Sequence, residues 1–363
     1  RAPLPNLRFL TEYQVSRVEL RDQRATGVRV RDRHGSEVLI EANKGVILAA
    51  GAIITPQLLQ LSGVGSERLL RKLGVTPVVK HEAVGRNFID RNVLPVGVWT
   101  HSTEPLYIGW AMAVNKSLGL TIESEGWGEV TSEFALSSLA LVAPSLRTQA
   151  LRVTLQLLYV TGLQNIMNNM IQLVSLQHGT HSRGSVEATT KDITDPPKVD
   201  ANHFADTRDL DGQWKSLQTL LDVLDKPSIQ EYVQPKDFLP SGMDLPDFLS
   251  CIAESPAATA NAVVLPCLPP AGSSKDRYDE YFRNTVVSSY HYFGTAAFGT
   301  VVEGADFHVA GVDNLHVVDA SVFPRATQVN PQGTIMAMGH YVGTKLAQAQ
   351  RRMAAQHEPD VLV

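Results

Sequence analysis

Read for apolar and polar positions, the chain opens with short runs rich in valine and isoleucine at Gln14 to Leu20, Thr26 to Val30 and Glu37 to Ile40. Asp32-Arg33-His34-Gly35 supplies a turn before the last of them, so a β-meander is expected. The next stretch, Gly45 to Gly51, is apolar and narrows to small residues at Ala49, Ala50, Gly51 and Ala52 before Thr55-Pro56. That pattern predicts a buried strand, a tight glycine turn and a capped helix, with backbone that another group can approach closely. From about Leu94 to Arg283 the texture changes, and a second domain inserted between two halves of the first is expected. Within it the pattern predicts a long helical stretch from about Ser145 to Val174 and a strand at Gly184 to Thr189. A rigid turn at Asp195-Pro196-Pro197 and a helix from Asp209 to Leu224 follow, with Leu217, Leu220, Leu221 and Leu224 on one face. Near the end, Leu315 to Val318 reads as a strand leading to Asp319, and Asn330-Pro331 opens a helix. Asparagine is a preferred N-cap and proline suits the first helical position. Apolar residues at Ile335, Met338, Val342 and Leu346 give this helix one buried face, and its free amides at Gln332 and Gly333 make a seat for negative charge.

With 363 residues, 44% hydrophobic and 19% charged, the chain has room for one large domain or two ordinary ones. The net charge of −5 is modest and spread along the sequence, so no nucleic acid or anionic membrane is called for as partner. Cys251 and Cys267 match no metal-ligand spacing and are few for a disulfide scaffold, which leaves free thiols, a disulfide or a redox role open. No membrane span is expected, because the most apolar stretch, Ala150 to Val174, is broken by Arg152, Gln156, Gln164 and Asn165. Asn115-Lys116-Ser117 is a glycosylation sequon that matters only in a secreted protein.

The candidate chemistry sits near the C-terminus. Tyr290-His291-Tyr292-Phe293-Gly294 holds one histidine in an aromatic, glycine-closed segment. An imidazole titrating near pH ~6.5 can accept a proton from an alcohol. The residues alone fit a buried, hydrogen-bonded core histidine as well. Asn330 is open to two readings in the same way, a plain helix cap or an amide that holds a substrate oxygen without acting as a base.

Gly51 to Gly65 reads Gly-Ala-Ile-Ile-Thr-Pro-Gln-Leu-Leu-Gln-Leu-Ser-Gly-Val-Gly. Further blocks follow at Val84-Gly85-Arg86-Asn87-Phe88-Ile89-Asp90, Ser182-Arg183-Gly184, Val317-Val318-Asp319-Ala320-Ser321-Val322-Phe323-Pro324 and Asn330-Pro331-Gln332. In kind and order these resemble the signature blocks of the glucose–methanol–choline (GMC) oxidoreductases, nearest the plant and algal branch that includes mandelonitrile lyases. Arg91 departs from the pattern, standing where a histidine is common. The resemblance implies an α/β plus α+β fold: a GMC-type FAD-binding domain, incomplete here, from residues 1–93 and 284–363, and an inserted antiparallel-sheet substrate domain from 94–283. It implies FAD as cofactor and a small-molecule alcohol as substrate, with His291 as base and Asn330 as orienter. Val15, Gly51, Ala52, Asp319, Ala320, Pro331 and Gln332 fall on its cofactor contacts, although Val15 also reads as a plain sheet residue and Asp319 as a solvated carboxylate at a strand end. Members of the family begin with a Gly-x-Gly-x-x-Gly turn that holds the ADP half of FAD, and these 363 residues contain none. A complementing N-terminal polypeptide is therefore one expectation. A lyase using the same histidine and a catalytically silent subunit are the rival readings.

Overall fold

The computed structural model describes residues 6–99, 111–115, 120–125, 170–231, 264–265, 269 and 272–356. The chain divides into two compact units, Arg1–Asp90 with Arg183–Asn202 and His291–Val363, and Arg91–Ser182 with His203–Tyr290. The calls on Cys251, Cys267, most of the sequon and Ser145 to residue 169 lie outside the described residues.

In the first unit the meander forms as expected. Strands β1 (Gln14–Arg21), β2 (Arg24–Arg31) and β3 (Glu37–Glu41) pair antiparallel in the order β1-β2-β3. Alternation buries Val18, Ala25 and Val30 while their neighbours face outward. Strand β4 (Val46–Leu48) then lies at the end of a second sheet, parallel to Leu315–Val317. Val318 N–H donates to the Leu48 carbonyl at 2.9 Å and extends that parallel pairing by one residue. Helix α1 (Gly51–Leu61) follows directly. Its residues Leu58, Leu59 and Leu61 join Val46, Leu48, Val64, Leu69, Val302, Leu315 and Val317 in the main core. Fully burying one such leucine is worth about 1.5–3 kcal/mol.

The helix begins earlier than its sequence suggests. Thr55-Pro56 does not cap it; Pro56 lies inside it, and Ala50 at the N-cap makes no side-chain cap. At the other end of the unit, the C-terminal helix spans Gln332–Gln356. Its first bond runs from Ile335 N–H to the Pro331 carbonyl at 2.9 Å, which makes Pro331 the capping residue and places Asn330 one position outside the helix.

The second unit is an antiparallel sheet in the order Val264–Leu265, Asn92–Trp99, Met170–Gln177, Leu120–Glu125, Ala111–Asn115, with Val287–Ser288 also pairing Asn92–Trp99. Met170 to Val174, expected at the end of a long helix, is strand. A short apolar run does not separate strand from helix by its spacing alone, and pairing with Asn92–Trp99 and Leu120–Glu125 decides it. Helix Arg208–Leu224 lays Leu210, Leu217, Leu220 and Leu224 against Leu94, Leu173, Phe204, Tyr278 and Phe282.

Residues 183–202 fall in the first unit although the sequence groups them with the inserted domain. Long-range pairing explains this. Strand Gly184–Glu187 pairs with Arg86–Phe88 and with Lys198–Asp200. The Gln60 side chain completes the attachment by donating to the Val186 carbonyl at 2.9 Å and accepting from Ala188 N–H at 2.7 Å.

Candidate active site

The parallel pair of β4 and Leu315–Val317 delivers two turns side by side at its carboxyl end. One is Ala50-Gly51-Ala52 at the start of α1, and the other is Asp319-Ala320 at a short 3-10 helix, Ala320–Val322. In open α/β sheets this end is where ligands bind.

Asp319, only 5% exposed, joins the two turns. Gly51 N–H donates to its Oδ2 at 2.9 Å, and the Thr55 hydroxyl donates to the same oxygen at 2.6 Å. Ser321 N–H donates to Oδ1 at 2.8 Å. Thr55 Oγ1 also accepts from Ala50 N–H at 3.2 Å. The carboxylate thus acts as a remote cap for α1, supplying the acceptor that Ala50 lacks and placing negative charge at the positive end of the helix. This is not the solvated strand-end carboxylate that the local sequence allows.

The segment after His291 is fixed to both turns. Phe293 exchanges two backbone bonds with Ile89, each 3.0 Å. Gly294 N–H meets the Ala320 carbonyl at 3.4 Å, Ala296 N–H meets Ser321 O at 2.9 Å, and Gly85 N–H meets Thr295 O at 2.9 Å. The Thr295 hydroxyl donates to the Ala52 carbonyl at 2.6 Å. Gly294 has φ +90°, and a Cβ there would stand 2.3 Å from the Asn87 carbonyl, so only glycine lets these strands approach. His291 itself is half-buried, between exposed Tyr290 and buried Phe293. Tyr292 stacks near Phe88 at 5.2 Å between ring centroids, and Phe293 meets Phe323 edge-on at 6.1 Å.

Gly51, Ala52, Asp319, Ala320 and the His291 segment are therefore gathered into one hydrogen-bonded frame. Val15 lies on β1 opposite Val30, half-buried against the main core and outside this frame. Asn330 and Gln332 are exposed and Pro331 half-buried, also outside it among the described residues. Thr295 is the residue that sequence reasoning missed, while Thr55 was read only as part of a helix cap and Asn87 only as part of the Val84 to Asp90 block. Thr295 carried no local signal, because its partner Ala52 lies 243 positions away.

The turn at Gly51 leaves open space beside its backbone. A Cβ built on Gly51, at φ +81°, meets nothing within 4 Å, and one on Gly333 meets nothing either. Ser321 Oγ is fully buried with no hydrogen-bond partner among the described residues. The Gly51 turn thus presents open backbone, as close approach of a bulky group requires, and the buried Ser321 hydroxyl beside the second turn is a polar atom such a group could satisfy. No grouping among the described residues has the donors for a metal ion.

Comparison with known proteins agrees with this architecture. Two family models, both described as GMC oxidoreductase, match residues 2–93 and 180–339. (R)-Mandelonitrile lyase 4 of Prunus serotina is 30% identical over 361 residues, which is 94% of this chain and 54% of the relative. Among solved structures, pyridoxine 4-oxidase from Mesorbium loti superposes with a TM-score of 0.69 at 19% identity, covering 92% of this chain and 57% of the other. A variant of formate oxidase from Aspergillus oryzae RIB40 gives 0.68 at 17% identity, covering 96% and 62%. The chain spans about half the length of the curated relatives it matches. By its matched regions and its fold, the chain belongs to the GMC oxidoreductase family.

Proposed function

We propose that this chain carries the substrate-facing part of an FAD-dependent oxidoreductase acting on CH–OH groups, with His291 as base and Asn330 as orienter. The observation that supports this most is the frame described above, in which two turns at the carboxyl end of a parallel strand pair are bonded to the segment that begins at His291. His291 takes the hydroxyl proton of the substrate at an imidazole nitrogen. Asn330 donates its amide N–H to the same oxygen and steadies the negative charge that develops there. Val15, Gly51, Ala52, Asp319, Ala320, Pro331 and Gln332 hold the cofactor, with Asp319 acting by fixing the backbone of both turns. When bound, FAD is the acceptor of the hydride that leaves the carbinol carbon as the carbonyl forms.

Its ADP half is held, in this reading, by a strand–turn–helix segment outside these 363 residues, supplied in the same polypeptide or by a complementing one. Two facts support that. The sequence has no Gly-x-Gly-x-x-Gly turn, and among the described residues β4 has a neighbour on only one edge, with Ile47 51% exposed. A lyase reading is favoured by the 30% identity to a mandelonitrile lyase. An asparagine at position 330, where the resemblance leads one to expect a histidine in lyases, weighs against it.

The test is anaerobic addition of an alcohol panel to flavin-loaded protein from the native source. Bleaching of the flavin by at least one alcohol, slowed ~100-fold or more by His291→Ala, is expected from the usual worth of a general base. A flavin that no alcohol bleaches, in a protein that cleaves a cyanohydrin, would establish the lyase instead.

A further inference from the structure

The frame depends on a carbonyl that a regular helix would not leave free. In α1 the Ala52 carbonyl should accept the N–H of the residue four positions on, but that residue is Pro56, which has none. Ala52 is 5% exposed, so water does not replace the lost donor. The Thr295 hydroxyl does, at 2.6 Å, and Thr295 is fully buried. Neither residue explains itself alone. A proline in the second turn of a helix breaks its ladder, and a buried threonine hydroxyl needs a partner.

We propose that Thr295 is a positioning residue for His291, and that Pro56 serves to free the Ala52 carbonyl for it. The pair pins the segment bearing His291 to the turn that carries Gly51 and Ala52, 243 residues away in sequence. This inference rests on the reading of His291 as the base, and it predicts more than a stability role. Without the tie, the segment 291–298 keeps its backbone bonds to Ile89, Ala320 and Ser321 but loses its attachment to α1.

Four variants separate positioning from mere packing. Thr295→Val keeps the shape but orphans the Ala52 carbonyl. Thr295→Ser keeps the hydroxyl. Pro56→Ala returns an N–H to Ala52, and the double variant Pro56→Ala/Thr295→Val satisfies that carbonyl without the tie. Melting temperature and amide hydrogen exchange of peptides covering 291–298 are measured on the full chain, and the rate of flavin reduction on the loaded enzyme.

Thr295→Val is expected to lower the melting temperature by a few degrees and to speed exchange and slow reduction by roughly threefold to tenfold, the worth of one hydrogen bond. Thr295→Ser should match the parent. The double variant should regain its melting temperature while exchange stays fast and reduction slow. Recovery of exchange together with melting temperature in the double variant would overturn the proposal, as would a Thr295→Val variant indistinguishable from the parent. Should no variant reduce flavin while exchange follows the expected pattern, the tie stands and the alcohol-oxidation reading falls.

Discussion

Thr55 carries more at the residue scale than its place in a helix suggests. Its hydroxyl bridges Ala50 N–H and the Asp319 carboxylate, and it is fully buried. A hydrogen bond to a charged group is worth about 1.5–3 kcal/mol, and a buried carboxylate that loses a donor finds no water to replace it. Thr55→Val, which keeps the shape and deletes the hydroxyl, should therefore destabilise the chain by ~1.5–3 kcal/mol, and Thr55→Ser by less than ~1.5 kcal/mol. Urea denaturation checks this. Equal stability of the valine and serine variants would mean that the hydroxyl contributes nothing to the frame. None of this could be read from local sequence, because Thr55 and Asp319 are 264 positions apart. His291, Asn330 and Asp319 could be singled out as candidates from the sequence; the ties that Thr55 and Thr295 make across the frame could not.

Among the elements, those with a clean period were legible and those fixed by distant partners were not. The meander alternates apolar and polar positions, and β1, β2 and β3 formed within a few residues of the expected limits. Helix Arg208–Leu224 repeats leucines at three and four, and Leu217, Leu220 and Leu224 are buried as that spacing requires. Met170–Gln177 is too short an apolar run for its spacing to decide, and its neighbours in the sheet make it a strand. Residues 183–202 attach where Gly184 meets Phe88 and where Gln60 imitates a strand edge. Gly184 has no side chain for a reason visible only in three dimensions, since a Cβ would lie 1.9 Å from the Asp200 carbonyl. The start of α1 was misplaced because the cap that Ala50 lacks comes from Asp319.

For the whole molecule, the histidines account for the part of the acid sensitivity that sets in above the carboxylate range. Burial lowers the His178 pKa from 6.5 to about 4, with a smaller push from the positive charge of Arg91, and burial lowers that of His81 as well. Their charged forms are disfavoured in the fold, so the stability tied to His178 is complete above pH 6.5 and is lost as pH falls from there through about 4. His308 runs the other way. Its hydrogen bond to Asp306 raises its pKa above 6.5, and its contribution is full below that value and disappears as pH rises through the folded one. With 38% of its side chain exposed, the His308 pair is screened and its share is small. Denaturation midpoints should therefore fall between pH 6.5 and 4, and His178→Asn should flatten that decline. An unchanged slope in the variant would assign the acid sensitivity elsewhere.

The proposed function requires a flavin held at the turns around Gly51 and Asp319. The visible absorption spectrum of the protein containing this chain, purified from its native source and matched to an intact mass under denaturing conditions, tests it most directly. Flavin bands at about one per copy of the chain are predicted. A protein of full purity with no flavin band, and none regained on incubation with FAD, would contradict the account.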